Sequence, residues 1–253
     1  MDGFMRKYFW GGAGIVCIVL VWKIASLVVA TELLLPPPER VFLKLFALVT
    51  TPRFLRSLVF TFVRLLSALA VSIPLGIVAG LAAGLSARTE AFLRPLFSII
   101  AATPVMSVIL IAFLWFGAEK TPSFAAFLMV FPVITVNVMA GIKALDPKLE
   151  ELFAVYRMDM REKIHYLYLP SLAPFIAGGC RASLSMCWKV VVAAEVLVQP
   201  LLALGTGMQR AKAALDTAEL FSWTAATVIA AAFSETALRL VLRKRTRKPK
   251  RAQ

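Results

Sequence analysis

The chain is poor in the residues that soluble catalysis relies on. It has one histidine, His165, and three cysteines, Cys17, Cys180 and Cys187, in 253 residues. One histidine supports neither a histidine metal site nor a Ser-His pair. Each cysteine lies inside an apolar run without ligand spacing, so the three read as packing residues and not as a disulfide framework. Acidic residues are scarce as well, 14 against 28 Lys and Arg. The glycine-rich phosphate loop GxxxxGK(S/T) is missing, so the chain does not hold nucleotide in that way, and any ATP that drives it is hydrolysed elsewhere.

Apolar residues are abundant instead, at 60% of the chain with a mean hydropathy of +0.82, far above the soluble range. An all-α integral membrane protein is expected. The net charge of +14 sits at span ends, in a central loop and in the tail 243–251, so membrane lipid headgroups, not nucleic acid, are its counter-charge. Runs long enough to cross about 30 Å of hydrocarbon give about six spans, near 10–30, 58–85, 92–116, 121–142, 171–198 and 220–242. The first run is longer than a secretory h-region and continues past Lys23, so it is taken as a span. Lys and Arg are richer in the loops on the side of both termini, which predicts cytoplasmic termini and a cytoplasmic 146–174 loop in a multi-pass cell membrane protein.

Pro36-Pro37-Pro38 stiffens the exit from the first span, and Val41, Phe42, Leu45, Leu48 and Val49 mark an amphipathic helix on the opposite, outer face. Gly76, Gly80 and Gly84 form a small-residue ladder for close helix approach. Arg64 is expected to snorkel from the outer end of the second span. Pro95, Pro104 and Pro132 predict bends in the third and fourth spans. Arg181, Lys189 and Glu195 are charges inside the fifth span. Buried charge in lipid needs a partner or a water-lined path, and Arg181 and Glu195 lie about 21 Å apart along a straight helix, too far to pair. Each therefore meets a neighbouring helix, a carbonyl or an interface, or lines a translocation path. Gly205-Thr206-Gly207 reads as a turn before a short helix from Met208 to Leu215. Asp216-Thr217-Ala218-Glu219 reads as a capping box, and Glu235 and Arg239 as a local ion pair.

The longest polar segment, Asp146 to Pro174, is ordered by its spacing. Asp146-Pro147 is an N-cap followed by proline at the first helical position, with Glu150 and Glu151 in the first turns. Leu149, Leu152, Phe153 and Tyr156 then form one apolar stripe, and Met160, Ile164, Leu167 and Tyr168 a second. Two short amphipathic helices in a basic loop are built to be gripped by a soluble partner. His165 reads as a solvated residue of the second.

Glu151 followed by Leu167-Tyr168-Leu169-Pro170 resembles the cytoplasmic EAA loop of ABC importer permeases. Leu34 to Pro38, Leu93-Arg94-Pro95 through Thr103-Pro104 to Gly117, Ala193-Ala194-Glu195, and Gly205-Thr206-Gly207 with Asp216-Thr217 are similar to the nitrate/sulfonate/taurine branch. The likeness covers about residues 33–240. Leu152, Phe153 and Arg157 stand where that motif has two alanines and a glycine. The resemblance implies the ABC importer permease (MetI-like) fold, with an N-terminal helix over 1–32, an outer segment over 33–57, a permease core over 58–242 holding the coupling loop 146–170, and a basic tail over 243–253. It implies no catalytic role and no cofactor on this chain, with ATP and Mg on cytoplasmic ATPase subunits. A second permease subunit, in a homodimer, and an extracytoplasmic substrate-binding protein are the other implied partners. Glu150, Glu151, Leu152, Phe153, Tyr156, Arg157, Met158, Leu169 and Pro170 are then the docking residues, and Arg181, Lys189 and Glu195 candidates for the path of a small solute. An ion-driven secondary transporter needs repeats and ion-binding carboxylates that are not evident, and an intramembrane enzyme needs a paired catalytic set that the scattered charges do not make.

Overall fold

A computed structural model of the protein describes residues 2–156 and 158–246, and the described residues are mostly helical with no strand. In chain order the helices are α1 (Asp2–Val29), α2 (Pro38–Val49), α3 (Pro52–Leu85), α4 (Ala87–Ala102), α5 (Val105–Lys143), α6 (Pro147–Val155), α7 (Met160–Lys163), α8 (Leu169–Val198), α9 (Leu204–Ala213) and α10 (Thr217–Thr246). A π-helical turn, Ile164–Tyr168, joins α7 to α8. Arg157 and the tail residues 247–253 lie outside the described residues.

The core is α3, α5 and α8 packed along their length, with α9 and α10 closing one side. Leu65, Ile109, Val130, Ile134, Val138, Val191 and Leu204 are fully buried at its centre. The glycine ladder is the seam of this core. A Cβ on Gly76, Gly80 or Gly84 would stand 2.6 Å from the Cβ of Ile134, Val138 or Ile142 in turn, so the expected close approach is to α5. The amphipathic α2 buries Pro38, Val41 and Leu45 and packs chiefly on α10. In contrast, α1 packs little and touches the body at its end. There the Trp22 indole N–H donates to the Pro36 carbonyl, the ring stacks on Phe221, and Lys23 pairs with Glu39.

Among the described residues, four helices are long and apolar enough to cross a membrane: Phe9–Val29, Pro52–Leu85, Val105–Lys143 and Thr217–Leu242. The expected count of six is not confirmed, for two local reasons. The run read as a third span, 92–116, is broken at Thr103-Pro104, where α4 stops and α5 starts. Proline has no N–H to continue the helix, and it biases Thr103 to extended backbone; Thr103 sits at φ −77°, ψ 126°. The remaining piece, 105–116, runs into the fourth span with only Gly117 between them, at φ 67° and ψ 179°. The fifth run is a helix of 30 residues, ample in length, but Arg181, Lys189, Glu195 and its glycines and serines make it less apolar. Pro95 and Pro132 lie inside α4 and α5 as expected, and Pro74 and Pro122 are further interior prolines.

Two other expectations change. The second amphipathic helix of the central loop is no separate unit, because α7 and the π turn run on into α8. Gly205 and Gly207 lie inside α9, which starts at Leu204, and not in a turn. A Cβ at Gly205 would meet the Val196 nitrogen at 2.5 Å, and one at Gly207 the Trp223 ring at 2.5 Å. These glycines let α9 press against α8 and α10.

Candidate functional site

Asp146 caps α6 as expected. Its carboxylate accepts from the Lys148 backbone N–H at 2.9 Å, and at the far end the Phe153 carbonyl accepts from the Met158 N–H at 3.1 Å. Among the described residues α6 packs closely on no other helix. Its stripe is therefore uncovered: Leu149, Leu152 and Tyr156 are exposed and Phe153 is half-buried. Glu151 is exposed, the side chain of Glu150 is outside the description, and Arg157 is outside it altogether. Past Met158, half-buried, the chain re-enters helix at Met160, with the Asp159 N–H donating to the Glu162 carboxylate at 3.0 Å. Leu167 is buried, Ile164, His165, Leu169 and Pro170 are exposed, and the helix continues unbroken into the membrane core.

The charges of α8 separate into two sets. Arg181 and Lys189 are exposed while Glu195 is fully buried. Glu195 meets Arg64, which was expected to snorkel and instead has a side chain only 6% exposed. Arg64 Nη1 donates to Glu195 Oε1 at 3.0 Å and to the Leu202 carbonyl at 2.9 Å. Arg64 Nη2 donates to Glu119 Oε2 at 2.5 Å. The Thr61 hydroxyl donates to Glu195 and accepts from the Leu204 N–H at 3.1 Å, and the Gly205 N–H donates to Glu195 Oε2 at 3.2 Å. Every oxygen of the buried carboxylate is satisfied, which is the condition for a charge to persist at such a site. The signal that could have found this knot was the opposite signs of Arg64 and Glu195, one in each of two apolar spans, together with Glu119 beside Gly117.

Arg181 and Lys189 lie on a different face of α8. With Gly178, Ala182 and Ser185 they form a stripe of exposed or half-exposed small and polar residues, whereas α3 and α10 expose Val, Leu, Ile and Phe. Lys189, Ser185 and Trp188 line a groove of about 570 Å³ between α8 and α10, closed by Thr224, Thr227 and Glu235. Glu235 and Arg239 are not ion-paired among the described residues, which overturns the expected local pair; both border a smaller pocket with Arg181. A stripe of this kind is costly against lipid.

Residues 72–247 match the family model described as binding-protein-dependent transport system inner membrane component. The chain belongs to this family. It is a multi-pass membrane permease subunit of the ABC importer class, in the branch that the sequence resemblance indicated. It is similar to the taurine transport system permease protein of Escherichia coli, with 27% identity over 91% of this chain and 86% of that one. It is also similar to the formylaminopyrimidine transport permease of Halalkalibacterium halodurans, 29% identical over 67% and 68% of the two chains. The bicarbonate transport system permease of Synechococcus elongatus is 23% identical over 76% and 73%. Within the matched range, α6 holds Glu151 and lies between α5 and α8 in the chain.

Proposed function

We infer that this permease is the membrane subunit of an ATP-driven importer in which two copies of the chain work with two cytoplasmic ATPase subunits and an extracytoplasmic binding protein that delivers the solute. The observation that carries this reading is α6, an apolar-striped helix that stands off the bundle yet connects within a few residues to the helix at its centre. Leu149, Leu152, Phe153 and Tyr156 would fill an ATPase groove, with Glu150, Glu151, Arg157 and Met158 around them and Leu169 and Pro170 bracing the exit. Nucleotide-driven closure of the ATPase pair would move α6, and α7 and α8 would carry that motion inward as a shift between two packed states. Both termini and α6 lie on the cytoplasmic side in this arrangement, and α2 and α9 on the outer side. The Leu152, Phe153 and Arg157 departures fit an ATPase whose groove accepts large side chains.

The polar stripe of α8 faces the second copy across a wet path, with Arg181 and Lys189 supplying positive charge to it. Glu195, locked to Arg64, supports the wall of that path and does not line it. The cargo that suits two cations without an ion pair among the described residues is a small anion-bearing nutrient such as nitrate, a sulfonate or taurine. Co-purification tests the docking. Glu151→Arg and Phe153→Asp are expected to lose the ATPase while remaining monodisperse in detergent, and normal recovery of the ATPase with both variants would refute the assignment.

A further inference from the structure

The groove between α8 and α10 holds charge of both signs. Lys189 lines it from α8, and Thr224, Thr227 and Glu235 line it from α10 at i, i+3 and i+11, one face of that helix. Its floor is the buried Trp188, whose indole N–H donates to the Ser234 hydroxyl at 2.8 Å. Trp188 and Ser234 are the chain neighbours of Lys189 and Glu235, so this bond sets the two charges at a similar depth. They nevertheless do not meet: among the described residues neither Lys189 nor Glu235 has an ion pair or a side-chain hydrogen bond. Arg181 and Arg239 border Glu235 in a separate pocket of about 50 Å³ and do not pair with it either. The Thr224 and Thr227 hydroxyls donate to carbonyls of their own helix at 2.9 Å. Their lone pairs remain to hold water in the other half of the groove.

We propose that this groove is a binding site for a small zwitterion, an amino acid or aminosulfonate whose anionic head meets Lys189 and whose ammonium meets Glu235. A simple anion on Lys189 would bring a second negative charge beside Glu235, and a simple cation on Glu235 would bring a second positive charge beside Lys189. A solute with both groups satisfies both side chains at once, and each charge-assisted contact gains from the low dielectric around it. Charges inside a membrane helix call for a partner or water, and the groove, at about 570 Å³, has the size of a small-molecule site. Glu235 is then the specificity-determining residue, because it separates zwitterions from plain anions. That the zwitterion is the transported cargo rests on the importer reading; its binding in the groove does not.

Ala232→Cys, on the exposed wall of the groove, is the reporter in the full chain, held in nanodiscs of phosphatidylglycerol, a lipid without an ammonium. Its modification by N-ethylmaleimide is followed by peptide mass, which separates it from the native cysteines. The better of 2-aminoethanesulfonate and 3-aminopropanesulfonate is expected to slow labelling roughly fivefold at about four times its Kd. 1-Propanesulfonate and propylammonium, which each lack one charge, should need at least about tenfold higher concentration for the same effect. Glu235→Gln should erase the preference over 1-propanesulfonate, and Lys189→Gln the preference over propylammonium, a split that loss of packing would not produce. Protection by neither zwitterion, equal protection by 1-propanesulfonate in the parent, or a thiol that never labels would overturn the site. Protection that appears when phosphatidylethanolamine is added to the disc without solute would assign the groove to a lipid headgroup and overturn it as well. Protection by a zwitterion that the complex with its ATPase fails to take up would uphold the site and count against the importer reading.

Discussion

Removing the Arg64 guanidinium would leave Glu195 buried with Thr61 and one backbone N–H as its remaining partners. Breaking one half of a buried pair typically costs about 3–5 kcal/mol, because the survivor is an uncompensated charge. Arg64→Ala and Glu195→Ala are therefore each expected to destabilise the permease by that order, and the double variant by less than the sum, readable as thermal midpoints in one detergent. Near-additive losses would mean that the two side chains do not act as a pair. Thr61→Val removes a donor to Glu195 and the acceptor for the Leu204 N–H together, a smaller loss of about 1–3 kcal/mol. On the α2 side, Lys44 beside Asp216 holds that carboxyl below its ordinary range. A carboxyl with a depressed folded value contributes stability above the ordinary range and loses it as pH falls through the lowered value. The α2–α10 tie should thus weaken only below about pH 4, and by under about 1 kcal/mol because both side chains are about one-third exposed and solvent screens the pair. Lys44→Ala should flatten that part of the stability profile.

At the scale of helices, the ladder and the break in α5 make opposite demands on glycine. Gly80 faces Val138 and the Thr135 carbonyl, with a Cβ at 2.6 and 2.7 Å, so Gly80→Val must push α3 away from α5. Overpacking of this kind costs about 1–3 kcal/mol, and loss of monodisperse protein on size exclusion is the expected result. Gly117 has open space but a positive φ, so Gly117→Val strains the backbone at a cost of about 1–3 kcal/mol without a clash; a variant as stable as the parent would count against that strain. The ladder was legible because spacing by four names one face of a helix whatever the partner is. The cap and stripe of α6 were legible because they are local. Arg64 was misread because a sequence window shows how far a charge lies from the end of a span and not which charge lies beside it, and Glu195 is 131 residues away. Helix breaks were misplaced for a related reason: hydropathy runs smoothly through 92–116, while Thr103-Pro104 and Gly117 decide where the backbone turns. In α9 the glycines look like a turn until Trp223 and Val196 are seen packed against them.

Across the whole molecule the membrane charges divide into a buried, paired set and an exposed set on α8. Arg64 and Glu195 saturate one another at the end of the core, so neither is free to meet a solute. Lys189 stands in the 570 Å³ groove with the hydroxyls of Ser185, Thr224 and Thr227, and Arg181 lies further along the same stripe. If this stripe forms the path of the proposed importer, reversing its charge should change which solutes pass and leave docking intact. Lys189→Glu is expected to depress ATP-dependent uptake of an anionic cargo in proteoliposomes by at least tenfold, the factor that about 1.4 kcal/mol carries. Recovery of the ATPase and the thermal midpoint should match the parent, because the exposed ammonium supports no packing in the fold. Lys189→Gln should fall between the two. The control is Glu195→Gln, which alters the buried Arg64–Glu195 pair: it should lower the midpoint and reduce uptake of every cargo alike. Equal uptake by Lys189→Glu and the parent would place the path on another face of the bundle, and uptake by the chain without its ATPase would replace the ATP-driven reading by a gradient-driven one.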